Sequence, residues 1–342
     1  MVPESLVPES FRLGTRGSQL ALWQANAVAS RISAAGGPSC RIVTVRTTGD
    51  RLQDMPLAAA GGKRLFVKEI EDSLLRGDVD LAVHSSKDIP AALPAGLTIA
   101  GVLPREDPLD AVVLPLSRTG NGLRLTSIDD LVALLGQAPS FGTSSMRRIA
   151  QLTRIFPNAR FTPIRGNLDT RLRKLDEGLD DRRNQGGNDA LVLAAAGLRR
   201  LGCAERISMT LPATACVPAP GQGIIAIETR AGDHRARELV GRIDDGSARA
   251  ALIAERAVVE GLGGDCQTPI GALATPIDEL RLELLAAVIA PDGSRVVRGH
   301  AQGTRDDAAG LGAEVARQLL AGGAAEILAE VGVASRRPAP SP

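Results

Sequence analysis

Short apolar runs in the N-terminal part of the chain are separated by amphipathic segments. The runs at 11–15 (FRLGT), 40–45 (CRIVTV) and 79–83 (VDLAV) have the length and composition of buried strands. The segments at 16–37 and 64–78 repeat apolar residues at helical spacing and end at or near a glycine, which predicts helices. This alternation predicts an α/β sheet that is at least partly parallel, in which ligands bind beyond the carboxyl ends of the strands.

The same alternation starts again with the segment DPLDAVVLP. Strands are predicted for PSFGT at 139–143, ARFTPIR at 159–165 and ALVLA at 190–194, each leading into a helix. A capping signal from Ser127 to Asp130 marks the start of a further helix. We therefore expect a second α/β unit.

The pattern changes at about residue 241. A helix is predicted at 247–261, followed by strands at 281–290 and 294–301 that share the turn PDGS. A long helical stretch ends the chain. Adjacent strands joined by a tight turn indicate an antiparallel sheet, so a separate α+β domain is expected here.

Length, charge and composition narrow the possible functions. A chain of 342 residues exceeds what one hydrophobic core usually serves, which predicts two or three domains. The net charge is +1, and aromatic residues make up only 2%, which argues against a nucleic-acid-binding surface built on stacking. No apolar run approaches the length of a membrane span. Four widely spaced cysteines and three histidines argue against a zinc site and for a reduced, cytoplasmic protein.

Four predicted strand–helix junctions combine Arg or Lys with Ser, Thr or Gly: TRGS at 15–18, AAGGKRLF at 59–66, GTSSMRR at 142–148 and IRGNLDTR at 164–171. The segment GTSSMRR could simply be an N-cap followed by solvated arginines. Two cations in a first helical turn, however, oppose the helix dipole unless an anion compensates them, which favours an anion site. AAGGKRLF lacks the P-loop pattern, so a nucleotide is not favoured. A neutral chain with cations at its strand ends suits a polyanionic small molecule.

The segment HSSKDIP follows the apolar strand at 79–83 directly. Asp88 could form a surface ion pair with Lys87, but its place at a strand's carboxyl end favours an active-site carboxylate. His84 is a candidate acid–base group or a residue packed against the strand. Farther along, PAPGQG surrounds Gln222 with glycines and prolines, as in a turn or a hinge between domains.

Cys266 lies in the glycine-rich stretch GLGGDCQTPIG. Cysteine usually packs as a small apolar residue within a helix or strand. In this bend it is either incidental or presented to a ligand.

Taken together and in order, these segments resemble the hydroxymethylbilane synthase family, also called porphobilinogen deaminases. The resemblance covers roughly residues 11–332 and rests on a series of motifs: TRGSQLALWQ, GGKRLFVKEIE, AVHSSKDIP, REDPLDA, GTSSMRR, RGNLDTRL, LAAAGLRRLG, PAPGQG, ERAVVEGLGGDCQTPIG and IAPDGS.

This resemblance implies a transferase of porphyrin biosynthesis. Such an enzyme joins four porphobilinogen molecules head to tail, releases ammonia at each addition and yields 1-hydroxymethylbilane. The product grows on a dipyrromethane primer held as a thioether, and the family's attachment cysteine matches Cys266. A cytoplasmic monomer without metal, membrane or nucleic-acid partners is expected.

The resemblance also implies a domain division. Two periplasmic-binding-protein-like α/β domains are expected, the first at 1–104 and 218–240 and the second at 105–217, followed by an α+β domain at 241–335 with a small antiparallel sheet that carries the cysteine. Residues 1–10 and the tail at 336–342 are expected to be disordered.

The family's site residues match positions of this chain. Asp88 matches the essential aspartate, which would stabilise the cation formed when the substrate loses ammonia. The predicted binding residues for cofactor and substrate are Arg16, Ser18, Lys63, Phe66, Ser85, Lys87, Thr143, Ser144, Ser145, Arg147, Arg148, Arg165, Arg171, Arg200 and Gln222.

Three features depart from the family pattern. Ala59 stands where a second lysine is common, and Asp265 replaces the usual glycine before the cysteine, which should raise the thiol pKa if the charges are close. Residues 179–189 look like an inserted surface loop. The alternative to an enzyme is a non-catalytic two-lobed binding protein for a polycarboxylate ligand.

Overall fold

The computed structural model describes residues 10–51, 67–119, 122–178, 187–264 and 268–334. The predictions for Lys63, Phe66 and Cys266, for the departures at Ala59 and Asp265, and for both termini lie outside these residues, as does most of the 179–189 insertion.

The first sheet has the strand order β2-β1-β3-β10-β4. β1 pairs in parallel with β2 and β3, whereas β10 is antiparallel to both β3 and β4. Its strands are β1 (Ser10–Thr15), β2 (Ser39–Thr44), β3 (Leu81–Ser85), β4 (Leu97–Val102) and β10 (Ile225–Arg230), and its helices are α1 (Gln19–Ala34), α2 (Thr48–Arg51), α3 (Lys68–Arg76) and α9 (His234–Gly241).

Alternate residues of β3 explain why helices cover both faces of this sheet. Leu81 and Val83 pack into a core with residues of α1 and α9, while Ala82 belongs to a core with Ile70 and Leu74 of α3 on the other face. Strands buried on both faces read as apolar runs, and residues 81–83 of β3 form such a run before His84 and Ser85.

The second sheet repeats this plan with the order β7-β6-β8-β5-β9. β6 is parallel to β7 and β8, and β5 is antiparallel to β8 and β9. Its strands are β5 (Asp110–Val113), β6 (Ser140–Gly142), β7 (Arg160–Thr162), β8 (Ala190–Ala194) and β9 (Met209–Thr210), and its helices are α4 (Leu116–Thr119), α5 (Ile128–Leu135), α6 (Met146–Ile155), α7 (Leu168–Glu177) and α8 (Ala195–Arg200).

The third sheet is antiparallel, in the order β11-β12-β13. Helices α10 and α11 bury Ala254, Val258 and Val315 in a common core with its apolar residues. The elements are α10 (Gly246–Gly261), β11 (Ile270–Pro276), β12 (Arg281–Ile289), β13 (Val296–Thr304), α11 (Ala308–Ala321) and α12 (Ala324–Ala334).

These sheets confirm the predicted fold class of two α/β units and an α+β unit with an antiparallel sheet. The capping box of Ser127 and Asp130 is present, and Gly178 ends α7 in the left-handed conformation. The sequence did not reveal β4, β9, β11 or α9. The proposed domain boundaries stay a prediction.

The three sheets are joined around the segment at 217–223. The carboxylate of Glu255 in α10 is buried and accepts hydrogen bonds from the backbone N–H groups of Gly221 (2.6 Å) and Ala274 (2.7 Å). It also pairs with Arg105, Nη1 to Oε1 at 2.5 Å, and Arg105 Nε donates to the carbonyl of Gln222 (2.9 Å). The chain passes between the first two sheets twice, at 103–109 and at 217–223, and we call the second stretch the crossing segment. The buried carboxylate of Glu255 thus connects the third sheet to both stretches.

Candidate functional site

Asp88 lies at the carboxyl end of β3, in a short 3-10 turn over Ser86–Asp88. β1 and β3 are parallel, so Arg16 after β1 leaves the sheet at the same edge. Asp88 and Arg16 are both partly buried. The order of strands therefore brings a carboxylate and a guanidinium to the place where α/β sheets bind ligands.

Lys87 connects this edge to the second sheet. Its Nζ donates to Oε1 of Gln222 at 3.2 Å, and Gln222 Nε2 donates to Oδ1 of Asp110 at 2.9 Å. The pKa of Lys87 is lowered to about 8: burial has the largest effect and the positive charge of Arg148 adds to it, while Asp88 and Asp110 act in the opposite direction. Lys87 is thus a cation that can lose its proton near neutral pH.

Asp110, at the start of β5, forms the centre of a buried charge cluster. Its side chain is 0% exposed and pairs with Arg147 (Nη1 to Oδ2, 2.6 Å) and Arg148 (Nη2 to Oδ1, 2.8 Å). Burial by itself would raise the pKa of the Asp110 carboxyl, but the charges of Arg147 and Arg148 and the hydrogen bonds outweigh it and hold the pKa well below its usual range.

The arginines of GTSSMRR are consequently buried and not solvated. Besides Asp110, Arg147 donates to the carbonyl of Val217 (2.7 Å), and Arg148 donates to the carbonyl of Val192 (2.8 Å). The anion that compensates two cations in the first turn of α6 is therefore supplied by the chain itself. Whether these arginines also bind ligand carboxylates stays a prediction.

Three other arginines at strand–helix junctions belong to the same electrostatic environment as Asp88. The pKa of Arg171 is lowered to about 10 by all influences together, of which burial is the largest and the charge of Arg148 the next. Asp88 acts in the opposite direction, whereas Arg165 and Arg16 lower the pKa further. Burial also lowers the pKa of Arg165. A buried arginine whose pKa is lowered by several neighbouring cations fits a ligand with several carboxylates.

The hydroxyl groups of the predicted site have partners within the chain. Ser18 caps α1 and Ser145 caps α6, each by accepting a backbone N–H. Ser85 exchanges hydrogen bonds with Gln24, with Gln24 Nε2 donating at 2.9 Å. Ser144 Oγ donates to the carbonyl of Ile164 (3.3 Å), and Thr143 Oγ1 accepts the N–H of Ser145 (3.3 Å).

Arg200, the last residue of α8, contacts the segment at 217–223. Its Nη2 donates to the carbonyl of Gly223 at 2.6 Å, and its guanidinium lies 5.7 Å from the ring centre of Trp23. Burial lowers its pKa to about 10, with Glu106 acting in the opposite direction. His84 is buried beside Glu228 of β10, with Nε2 3.3 Å from Oε2, so it packs within the first sheet.

The sequence reasoning missed two residues of this network, Asp110 and Arg105. Both occur in the motif REDPLDA, which was noted only as part of the resemblance. Asp110 could have been singled out because it is a carboxylate at the first position of an apolar strand. Such a group becomes buried and then needs cationic partners.

Comparisons with known proteins agree with this architecture. Residues 11–238 match the family model "Porphobilinogen deaminase, dipyromethane cofactor binding domain", and residues 250–321 match "Porphobilinogen deaminase, C-terminal domain". A porphobilinogen deaminase of Moorella thermoacetica is 44% identical over 322 residues, covering 94% of this chain and 96% of the relative. That of Acidithiobacillus ferrooxidans is 44% identical over 326 residues, covering 95% and 99%.

Among solved structures, a TRAP periplasmic solute binding protein from Desulfovibrio salexigens aligns with a TM-score of 0.38 and 10% identity, covering 70% of this chain and 72% of that one. This similarity is too low to support a functional comparison. The two family models together span both α/β units and most of the third unit, and the relatives match nearly full length. The chain belongs to the porphobilinogen deaminase family.

Proposed function

We propose that this chain joins four porphobilinogen molecules head to tail, with loss of ammonia, into 1-hydroxymethylbilane. Family membership supports this activity and does not favour the alternative of a non-catalytic binding protein. The observation that carries the residue assignment is the position of Asp88. It is the carboxylate at the strand-end site, and its charge raises the pKa of both Lys87 and Arg171 against the effect of burial.

Asp88 would act where positive charge develops. Loss of ammonia from an aminomethylpyrrole leaves a cation delocalised over the ring, and a fixed carboxylate lowers the energy of that cation relative to bulk water. Asp88 is partly buried, so its charge is less screened than at an open surface. The same carboxylate can accept a hydrogen bond from a pyrrole N–H.

The cations would hold the acid arms of the substrate. Each pyrrole unit brings two carboxylates, so a growing chain requires many donors. We assign this role to Arg16, Arg165 and Arg171, with Lys87 beside Asp88. Ser18, Ser85, Thr143, Ser144, Ser145, Arg200 and Gln222 complete the proposed site. Arg147 and Arg148 would contribute their remaining N–H groups while Asp110 holds their orientation.

The matched family model is that of a domain that binds the dipyrromethane cofactor. A cluster of mutually repelling cations fits that group, whose rings bear carboxylates. When bound, it supplies the nucleophilic pyrrole carbon on which the product is built. Cys266 is the proposed attachment residue, and Lys63 and Phe66 are proposed to cover the site.

We further propose the domain division given above and a monomeric, cytoplasmic enzyme that uses neither metal nor nucleic acid. Within the described ranges, no helix is both long and apolar enough to cross a membrane.

Intact-mass spectrometry tests the attachment. The purified wild-type chain should carry an added mass equal to two linked pyrroles, and Cys266→Ser should lack it. An unmodified wild-type chain with full turnover would overturn the proposal.

Replacement of Asp88 tests the catalytic assignment. Asp88→Asn preserves the shape of the side chain but removes its charge, so turnover should fall at least about a hundredfold. The adduct mass and the melting temperature serve as controls for folding. Near-normal turnover would exclude the central role of Asp88.

A further inference from the structure

A histidine and a glutamate are buried together in the first sheet, just before the turn at 86–89 that carries Asp88. His84 is the fourth residue of β3, and Glu228 lies on the neighbouring strand β10. Their side chains are 3% and 0% exposed, and Nε2 of His84 lies 3.3 Å from Oε2 of Glu228. We call the segment 86–89 the Asp88 turn. The proposed chemistry gives neither buried residue a role.

The carboxylate of Glu228 lacks the hydrogen bonds that buried carboxylates normally have. Within the described ranges, neither of its oxygens has a hydrogen-bond partner of good geometry, and the same holds for Nε2 of His84. Burying a carboxylate is costly unless donors or cations compensate it. The imidazole of His84, at ion-pair distance, is therefore its direct partner. Replacing one of the two residues leaves the other without compensation in the interior.

Backbone pairing connects these two residues to the Asp88 turn. The hydrogen-bonded ladder between β3 and β10 continues past His84 to the amide of Ser86, which donates to the carbonyl of Ile224 (3.0 Å). The N–H of Ile89 then closes the turn by donating to the carbonyl of Ser86 (3.1 Å). The end of the β3–β10 ladder is thus the base on which the Asp88 turn is built.

Glu228 also influences the chain after the Asp88 turn. Nη2 of Arg256 in α10 donates to the backbone carbonyls of Pro90 (2.9 Å) and Ala91 (2.5 Å). Burial lowers the pKa of Arg256, whereas the charges of Glu260 and Glu228 act in the opposite direction. One buried carboxylate therefore acts by contact on the residue before the turn and by charge on the cation bound after it.

We propose that His84 and Glu228 are positioning residues for Asp88. Their contact keeps the end of β3 in place against β10, so that the Asp88 carboxylate stays where the substrate cation would develop. A misplacement of about 1 Å can lower a rate by about a hundredfold. Neither residue touches substrate or transfers a proton in this role. The effect on turnover rests on the proposed function, whereas the effect on the turn does not.

Amide hydrogen exchange of the full-length chain, followed by NMR, tests the positioning without reference to turnover. In Glu228→Gln, the amides of Ser86 and Ile89 should exchange at least about tenfold faster than in wild type, because the imidazole loses its charged partner and the strand end loosens. The amide of Asp80, which donates to the carbonyl of Arg12 just before β3 begins, should be accelerated much less. Equal acceleration at both ends of β3, or none at the turn, would overturn the proposal.

Thr229→Val is the matched control. Thr229 is the next residue of β10, and its Oγ1 is also buried without a hydrogen-bond partner. Successive side chains of a strand point to opposite faces, so this change leaves the face of Glu228 intact. Exchange at Ser86 and Ile89 should stay at the wild-type rate. If Thr229→Val accelerated these amides as much as Glu228→Gln, the contact with His84 would not be the cause.

Steady-state kinetics with porphobilinogen tests the effect on Asp88. Glu228→Gln should lower kcat at least about tenfold and change KM less than about threefold, since the arginines assigned to the substrate's acid arms are untouched. In the Asp88→Asn background, Glu228→Gln should have no further effect, because Glu228 acts through Asp88. A raised KM with unchanged kcat, or full additivity of the two changes, would contradict the positioning role.

His84 offers a conservative variant. His84→Gln keeps an N–H donor near the position of Nε2 and should retain most of the wild-type kcat. His84→Leu removes the donor and should lose as much as Glu228→Gln. Equal losses for the two His84 variants would overturn the proposal. If Glu228→Gln fails to fold, the His84 variants decide the matter by the same exchange and kinetic measurements.

The two kinds of measurement separate this proposal from the proposed function. A wild-type chain that does not turn over porphobilinogen would refute the proposed function, and amide exchange at Ser86 and Ile89 would still decide whether His84 and Glu228 position the Asp88 turn.

Discussion

The charge cluster around Asp110 yields a quantitative prediction. Asp110→Asn retains the size of the side chain but removes the one carboxylate that, among the described residues, pairs with Arg147 and Arg148. Both arginines are nearly fully buried, at 4% and 7% exposure. Removing one partner of a buried ion pair typically costs about 3–5 kcal/mol, because the remaining charge is left without compensation. We expect a loss in that range from the free energy of unfolding of the unit built on the second sheet.

The pH dependence follows from the lowered pKa of Asp110. A carboxyl group whose pKa is lower in the folded chain stabilises it fully above the unfolded pKa of about 4, and this contribution is lost as the pH falls towards the folded value. The difference between wild type and Asp110→Asn should thus be constant above about pH 5 and shrink below pH 4.

Differential scanning calorimetry and urea titration measure the change. A chain with several units need not unfold in one step, so the transition of the second unit is followed separately. Glu177→Gln is the control, since it removes an exposed pair with Arg173 in the same unit and should cost no more than about 0.5 kcal/mol. A loss of less than 1 kcal/mol for Asp110→Asn, or one equal to the control, would refute the reasoning.

Two further predictions concern Lys87 and the crossing segment. If Lys87 binds a carboxylate as a cation, kcat/KM should decline above about pH 8, where it loses its proton, and Lys87→Arg should move that decline to higher pH; an unchanged profile would contradict the role. Gly221→Ala should destabilise the chain by more than twice the roughly 1 kcal/mol expected for Gly77→Ala, as seen by thermal melting. Both glycines have positive φ, 73° and 76°, but a Cβ at Gly221 would lie 2.6 Å from Ser86 Oγ, whereas nothing lies within 4 Å at Gly77. Equal losses would mean that the close approach to Ser86 is not important.

Local sequence signals predicted much of the fold. The capping residues Ser127 and Asp130, the helix-ending Gly178 and the turn PDGS each act within a few residues, so their effect can be read directly. The place of β10 between β3 and β4, in contrast, depends on pairing with residues more than a hundred positions away. Such long-range pairing leaves no local pattern.

The same limit applies to the site. Arg147 and Arg148 were identified as cations at a helix start, but their partner Asp110 lies 37 residues earlier for the first of them. The sequence predicted that an anion must compensate these charges, and it could not show that the chain provides one. The sequence also could not show that Ser86 Oγ is buried without a hydrogen-bond partner, because hydrogen-bond partners depend on how distant segments pack.

The position of β10 has a consequence for synthesis. The second sheet uses only residues between 110 and 210, whereas the first sheet needs β10, at Ile225–Arg230, to join β3 with β4. As the chain leaves the ribosome, the second sheet has all its strands before the first one does. β3 therefore lacks its neighbour on one side until β10 (Ile225–Arg230) has been synthesised. During synthesis, the second sheet can therefore be completed before the first, although the first begins earlier in the sequence.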